Sequence, residues 1–108
     1  MRGWHFDRWY RRVQRAYPGQ LPPRKQVRVT FEALRDGLAR INYDQRGGIA
    51  RNVEIRINSR VRWSTKLCLR EVAHELAHLL RPQMDHGERF ERVIVKVKAV
   101  MERDPSWY

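Results

Sequence analysis

The sequence is poor in cysteine, in acidic residues and in long apolar runs, and each shortage excludes something. Cys68 is the single cysteine among 108 residues, which excludes an intrachain disulfide and fits a reducing compartment. No window approaches the ~20 apolar residues of a membrane-spanning helix. The first residues carry charges throughout and lack an apolar central run, so we expect no signal peptide and a cytoplasmic protein, near the nucleoid or, in a eukaryote, in the nucleus.

The shortage of acidic residues leaves a strong positive charge. Lysine and arginine number 23 against 12 aspartates and glutamates, a formal net charge of +11. Such a charge favours polyanionic partners, of which nucleic acid is the commonest, although an anionic membrane surface or an acidic protein also fits. With 42% hydrophobic residues, the chain has enough apolar surface for a core but not the length for two. We therefore expect one globular domain, 1–108, that binds nucleic acid.

The hydrophobic pattern predicts an α+β domain in the order α-β-β-β-α-α. Apolar residues recur at helical spacing from Trp4 to Tyr17, and the prolines that follow cannot continue a helix. Alternation then predicts three strands, each with one apolar face: Val27, Val29 and Phe31; Ala39, Ile41 and Tyr43; Val53, Ile55 and Ile57. Asp36-Gly37 suits a hairpin turn between the first two strands, so we expect an antiparallel-rich sheet.

Two helices are predicted after the strands. Ser64 is a candidate N-cap, and the apolar helical face that follows it extends to Leu80, just before Arg81-Pro82. The last segment, Gly87 to Arg103, alternates in places like a strand. Its length without Gly or Pro favours a helix.

The motif His74-Glu75-Leu76-Ala77-His78 points to a metal site. Residues four apart share one helix face, so two imidazoles can reach one ion, while Glu75 lies one step round the helix. A zinc site that does chemistry keeps three protein ligands and an open fourth position, and His86 is the candidate third ligand. Asp85 would either orient an imidazole or cap the last helix. His5 stands apart on the first helix, where we expect an ordinary packing residue.

The three candidate ligands predict a particular chemistry. Neutral histidines leave the charge of the ion uncancelled, which lowers the pKa of water at the open position towards ~7. Glu75 is then the candidate general base, and afterwards acid. Zinc (Zn2+) is the expected ion on availability and geometry, although cobalt, nickel and manganese also bind such ligands.

The segments LREVAHELAHLL and DHGERF resemble the SprT-like metalloproteases, which include the Spartan-type proteases of DNA–protein crosslinks. GLARINYD and NVEIRINSR are similar to the strands that precede the motif helix in that family, so the likeness spans roughly Val27 to Val100. The resemblance implies a minimal zincin-like fold: an N-terminal helix, a three-stranded sheet, the HExxH helix and a C-terminal helix. It also implies zinc ligands His74, His78 and His86, catalytic Glu75, and a substrate protein bound or crosslinked to DNA.

Longer members of that family carry separate DNA-binding elements, and this chain has no C-x-x-C pair. Nucleic-acid contacts are therefore expected from its own surface, through two sets of residues: Arg8, Arg11, Arg12 and Arg15 with Trp4, Trp9 and Tyr10; and Arg60, Arg62 and Lys66 with Trp63. A substrate strand is expected to pair with an edge of the sheet.

Two other functions remain open at this point. A YbeY-type metal-dependent hydrolase that acts on nucleic acid also suits a basic surface. A nucleic-acid-binding module with a structural metal is the other alternative, but such sites usually close the fourth position with Cys or His. Glu75 favours the peptidase, and Cys68 is badly placed to close the site.

Overall fold

The computed structural model describes residues 4–45 and 48–102. It contains three helices and three strands in the predicted order: α1 (Phe6–Ala16), β1 (Val27–Glu32), β2 (Ala39–Gln45), β3 (Ala50–Asn58), α2 (Thr65–Leu80) and α3 (Glu88–Met101). A short 3-10 turn, Arg24–Gln26, precedes β1. The predicted α+β class is confirmed. Within the described ranges, no helix is long and apolar enough to cross a membrane.

The sheet is mixed, in the order β1-β3-β2. β3 runs parallel to β1 and antiparallel to β2, so the predicted hairpin between β1 and β2 is wrong. Gly37 does take a positive φ of 77°, but a turn dipeptide does not specify which strands pair. β3 carries the most thoroughly buried apolar face. It is the central strand, so a neighbouring strand pairs with each of its two edges.

Strand register brings the predicted apolar positions onto one face. Val29 and Ile41 flank Ile55 in one row across the sheet. In the next row Phe31 and Ala39 flank Ile57. These side chains join the helices in one core, except Phe31, which is 42% exposed at the end of β1.

The two helices after the sheet begin and end near their predicted positions. The Ser64 hydroxyl accepts a hydrogen bond from the Leu67 N–H (3.1 Å) at the start of α2. The ambiguous last segment is helix, and its final predicted residue, Arg103, lies outside the described residues. The Asp85 cap is wrong, because Gly87 occupies the cap position and no side chain caps α3. α3 packs against both α1 and α2.

The side chain of Asn58 links the segment between β1 and β2 to the end of β3 by hydrogen bonds. Its side-chain oxygen accepts from the backbone N–H groups of Leu34 (3.2 Å) and Arg60 (3.0 Å), and its amide donates to the Gly37 carbonyl (2.8 Å). Only 5% of Asn58 is exposed. The chain between β1 and β2 is therefore anchored by a buried polar side chain whose partners are backbone groups.

Asn58→Ala should destabilise the protein by about 2–4 kcal/mol, because it leaves buried backbone groups without partners. The free energy of unfolding in urea measures the effect. The exposed Asn42→Ala in β2 is the matched control and should change stability by less than about 1 kcal/mol. Equal effects of the two substitutions would contradict the anchoring role.

Candidate metal centre

Three histidines converge at one end of the α2–α3 pair. His74 and His78 lie one turn apart on α2, and His86 lies in the loop just before α3. The Nε2 atom of His78 is 3.0 Å from that of His74 and 3.0 Å from that of His86. One ligand atom from each of the three lies within 4.8 Å of the others. The residues predicted as ligands are therefore close enough to hold a metal ion.

Two of the three nitrogen separations are close to those of a tetrahedral ion, and the third pair, His74 and His86, lies within 4.8 Å. With metal–nitrogen bonds of about 2.0–2.1 Å, two ligands of a tetrahedral zinc are separated by about 3.3 Å. The two 3.0 Å separations are close to that value. Within the described ranges, this group contains no fourth His, Cys, Asp or Glu. The described group therefore consists of three histidines that are close enough together to hold a metal ion.

Phe90 supports all three imidazoles. Its ring centroid lies 4.7 Å from that of His78, 5.0 Å from that of His86 and 5.5 Å from that of His74. Phe90 itself is 1% exposed and belongs to the core. The side chain that anchors α3 in the core thus also limits the positions that the ligand rings can take.

Burial holds two of the imidazoles in the form that binds metals. His78 is half-buried, and burial, with the nearby His74 and His86, lowers its pKa to about 4. Burial is also the largest cause of the lowered pKa of His74, which Glu71 and Glu91 partly oppose. Both rings are therefore neutral at pH 7, as coordination requires.

Glu75 is the buried acid of the site. Only 4% of it is exposed, and one of its carboxyl oxygens, Oε2, has no hydrogen-bond partner. Burial, and after it the charge of Glu71 and a side-chain hydrogen bond with Glu71, raise the pKa of Glu75 to about 8. This buried carboxyl is adjacent in sequence to the predicted ligand His74.

Two openings lie near the histidines. A pocket of about 360 Å³ is lined by His74 together with Leu38, just before β2. A cleft of about 710 Å³ includes Gln45, the last residue of β2, and the loop residues on both sides of His86. β2 is an edge strand, so one side of its backbone has no strand partner in the sheet.

Some predicted residues lie elsewhere. Asp85 is exposed and makes no hydrogen bond to an imidazole among the described residues. Cys68 is buried and outside the ligand group. The ring of His5 packs against Trp9, at 5.7 Å between centroids, as expected of a packing residue.

Sequence reasoning missed Glu71, and it did not predict that Phe90, the last residue of the DHGERF segment, contacts all three imidazoles. Glu71 lies four residues before Glu75, a spacing that places the two carboxyls on one helix face, so the signal was available. Trp9 and Tyr10, predicted among the nucleic-acid-facing aromatics, are fully buried, which corrects that prediction.

Comparison with protein-family models, with curated proteins and with solved structures finds no match to this chain. The interpretation of the site therefore depends on its own geometry.

The raised pKa of Glu75 predicts that the free energy of unfolding of metal-free protein depends on pH. The folded state binds the proton up to about pH 8, whereas the unfolded state releases it near pH 4.5. The contribution of Glu75 to stability is complete below pH 4.5 and is lost as pH rises through 8. Glu75→Gln should therefore be more stable than wild type above pH 8, by up to about 5 kcal/mol, with the difference gone below pH 4.5.

Urea unfolding of chelator-treated protein across this pH range measures that difference. Glu88→Gln, at an exposed position in the first turn of α3, is the control and should show no such trend. A Glu75→Gln difference that is independent of pH would contradict the assigned environment of the carboxyl.

Proposed function

We propose that this chain is a zinc-dependent metallopeptidase of the SprT-like type that acts on proteins bound or crosslinked to DNA. One observation carries the proposal: three imidazole nitrogens converge beside a buried carboxyl from the same helix. The order of those residues, His74-Glu75 with His78 and a later His86, supports it by resemblance to that family. The minimal zincin-like identity of the fold belongs to the same proposal.

Zinc held by His74, His78 and His86 would polarise the scissile carbonyl and acidify a water beside it. Glu75 would accept a proton from the water that attacks the carbonyl carbon and would return it to the amine nitrogen as the C–N bond breaks. A general base must be ionised to act. The raised pKa of about 8 belongs to the metal-free site, and the charge of a bound cation would lower the pKa of Glu75. Its unpartnered Oε2 has the capacity to accept that proton.

The free edge of β2 is the proposed binding site for an extended substrate. Leu38, before β2, shares a pocket with His74, and Gln45, at its end, lines the cleft beside the His86 loop. A strand paired with β2 would therefore pass across the ligand group, with its backbone held by main-chain hydrogen bonds. Pairing of this kind is largely independent of side chains, which suits a peptidase of broad specificity.

The charge of +11 supports a nucleic-acid-bound substrate, since a positive domain concentrates at polyanions. A structural metal site is less well supported, because the described ligand group contains no fourth ligand to close it. A hydrolase of nucleic acid would share the surface charge. Glu75 favours a peptidase, because peptide hydrolysis requires a proton for the departing amine.

The test measures zinc content and cleavage of a basic DNA-binding protein, with and without single-stranded DNA. Wild type and Glu75→Gln should each bind about one zinc, while Glu75→Gln loses at least about 100-fold in rate. His86→Ala should lose both zinc and activity, and the exposed Glu88→Gln should retain both. Zinc binding without cleavage of any protein substrate would contradict the proposal.

A further inference from the structure

Three aromatic side chains from distant parts of the chain form an exposed cluster, which we call the aromatic platform: Trp4, Phe31 and Trp63. The Trp4 ring centroid lies 5.3 Å from that of Phe31 and 6.0 Å from that of Trp63, both in edge-to-face contact. Trp4 precedes α1, Phe31 lies near the end of β1, and Trp63 lies between β3 and α2. Folding therefore brings Trp4 and Trp63, one aromatic residue from each of the two sets predicted from the sequence, together with Phe31.

The platform is held in place but not covered. Beneath it, Trp9 is fully buried and contacts Trp4 at 6.3 Å. The Trp63 indole N–H donates to the Asn58 carbonyl (2.9 Å), which restricts the orientation of that ring. Phe31 remains 42% exposed, and both Trp4 and Trp63 are partly exposed. Core packing accounts for the inner side of the cluster and leaves its outer side unexplained.

The surroundings of the platform are positively charged. Arg60, Arg62 and Lys66 are exposed on both sides of Trp63 in sequence, and among the described residues none of them has an acidic ion-pair partner. The acids close to the platform in sequence already have partners. Asp7 pairs with Arg24 at 2.7 Å, and Glu32 pairs with Arg56 at 3.4 Å.

We propose that the aromatic platform binds single-stranded nucleic acid. Unpaired bases stack on the exposed rings, and Arg60, Arg62 and Lys66 contact the phosphates. Rings beside cations are the combination that single strands require, since every base has a face that can stack, whereas the bases of a duplex are already stacked on each other. A purely apolar partner would gain nothing from the unpaired cations, and a duplex would gain nothing from the rings.

A groove between α2 and α3 begins at Ser64, which follows Trp63 in sequence, and extends towards the metal centre. Its lining includes the cations Lys66, Arg70 and Lys98 and one acid, Glu91. Leu67 and Arg70 also line the pocket that contains His74. The helical rise from Ser64 to His74 is roughly 15 Å. A protein attached to the bound strand would be held within reach of the histidines, a consequence that depends on the proposed peptidase function.

The test measures binding of labelled single strands of about 20 nucleotides, oligo(dT) and oligo(U), by fluorescence anisotropy. Full-length protein is used with and without zinc. Phe31→Ser and Trp63→Leu should each weaken binding about tenfold, and Arg60→Glu/Arg62→Glu should weaken it at least tenfold. The control Arg51→Glu/Lys96→Glu makes the same change in net charge at exposed positions on β3 and α3 and should weaken binding less than about threefold.

Far-UV circular dichroism and urea unfolding identify any variant that fails to fold. Phe31→Ser changes a side chain on the surface and should therefore disturb folding least. Equal losses in the two charge-reversal variants, or unchanged binding by both aromatic variants, would overturn the proposal. Binding to duplex or to anionic phospholipid vesicles as tight as to single strands would also overturn it. Because Glu75→Gln should bind the strands like wild type, failure of the peptidase proposal leaves this measurement unaffected.

Discussion

The packing of Phe90 between α3 and the histidines is the contact on which the metal centre depends. His74 and His78 are close together because they lie one turn apart on the same helix. His86 lies in a loop eight residues beyond His78, so its distance from the other two ligands depends on the position of α3. Phe90 is buried in the core and contacts all three imidazoles. Because the same ring fills the core and supports the ligands, the energy that packs α3 against α2 also organises the site.

The charges of the molecule are divided between two regions with different roles. Around the histidines, burial keeps His78 neutral near pH 7, so it carries no positive charge that would repel a cation. Burial also keeps Glu75 protonated in the metal-free site. Over the exposed surface, cations outnumber acids, and Arg60, Arg62 and Lys66 gather beside the aromatic platform. In the account proposed here, the surface brings nucleic acid and its attached proteins close, and the low-dielectric site performs the chemistry.

Local features of the sequence predicted what local interactions decide. The Ser64 cap, the end of α2 and the ligand set follow from spacings within about one helical turn or one loop, and the structure bears out the cap, the end of α2 and the convergence of the three histidines. Pairing between distant strands is a non-local choice, so the Asp36-Gly37 turn predicted the wrong partner for β1. The platform of Trp4, Phe31 and Trp63 is non-local for the same reason. The role of Glu71 could have been predicted from the sequence, because Glu71 precedes Glu75 by about one helical turn.

X-ray absorption at the zinc edge of zinc-loaded protein tests the central claim most directly, because it counts the atoms bound to the ion. Three imidazole nitrogens from His74, His78 and His86 predict nitrogen and oxygen scatterers at about 2.0–2.1 Å, with three of them showing the pattern of imidazole rings. The fourth should be a single light atom that belongs to no side chain. A sulfur scatterer at about 2.3 Å, which only Cys68 or a methionine can supply, or a fourth imidazole, would contradict an open three-histidine centre.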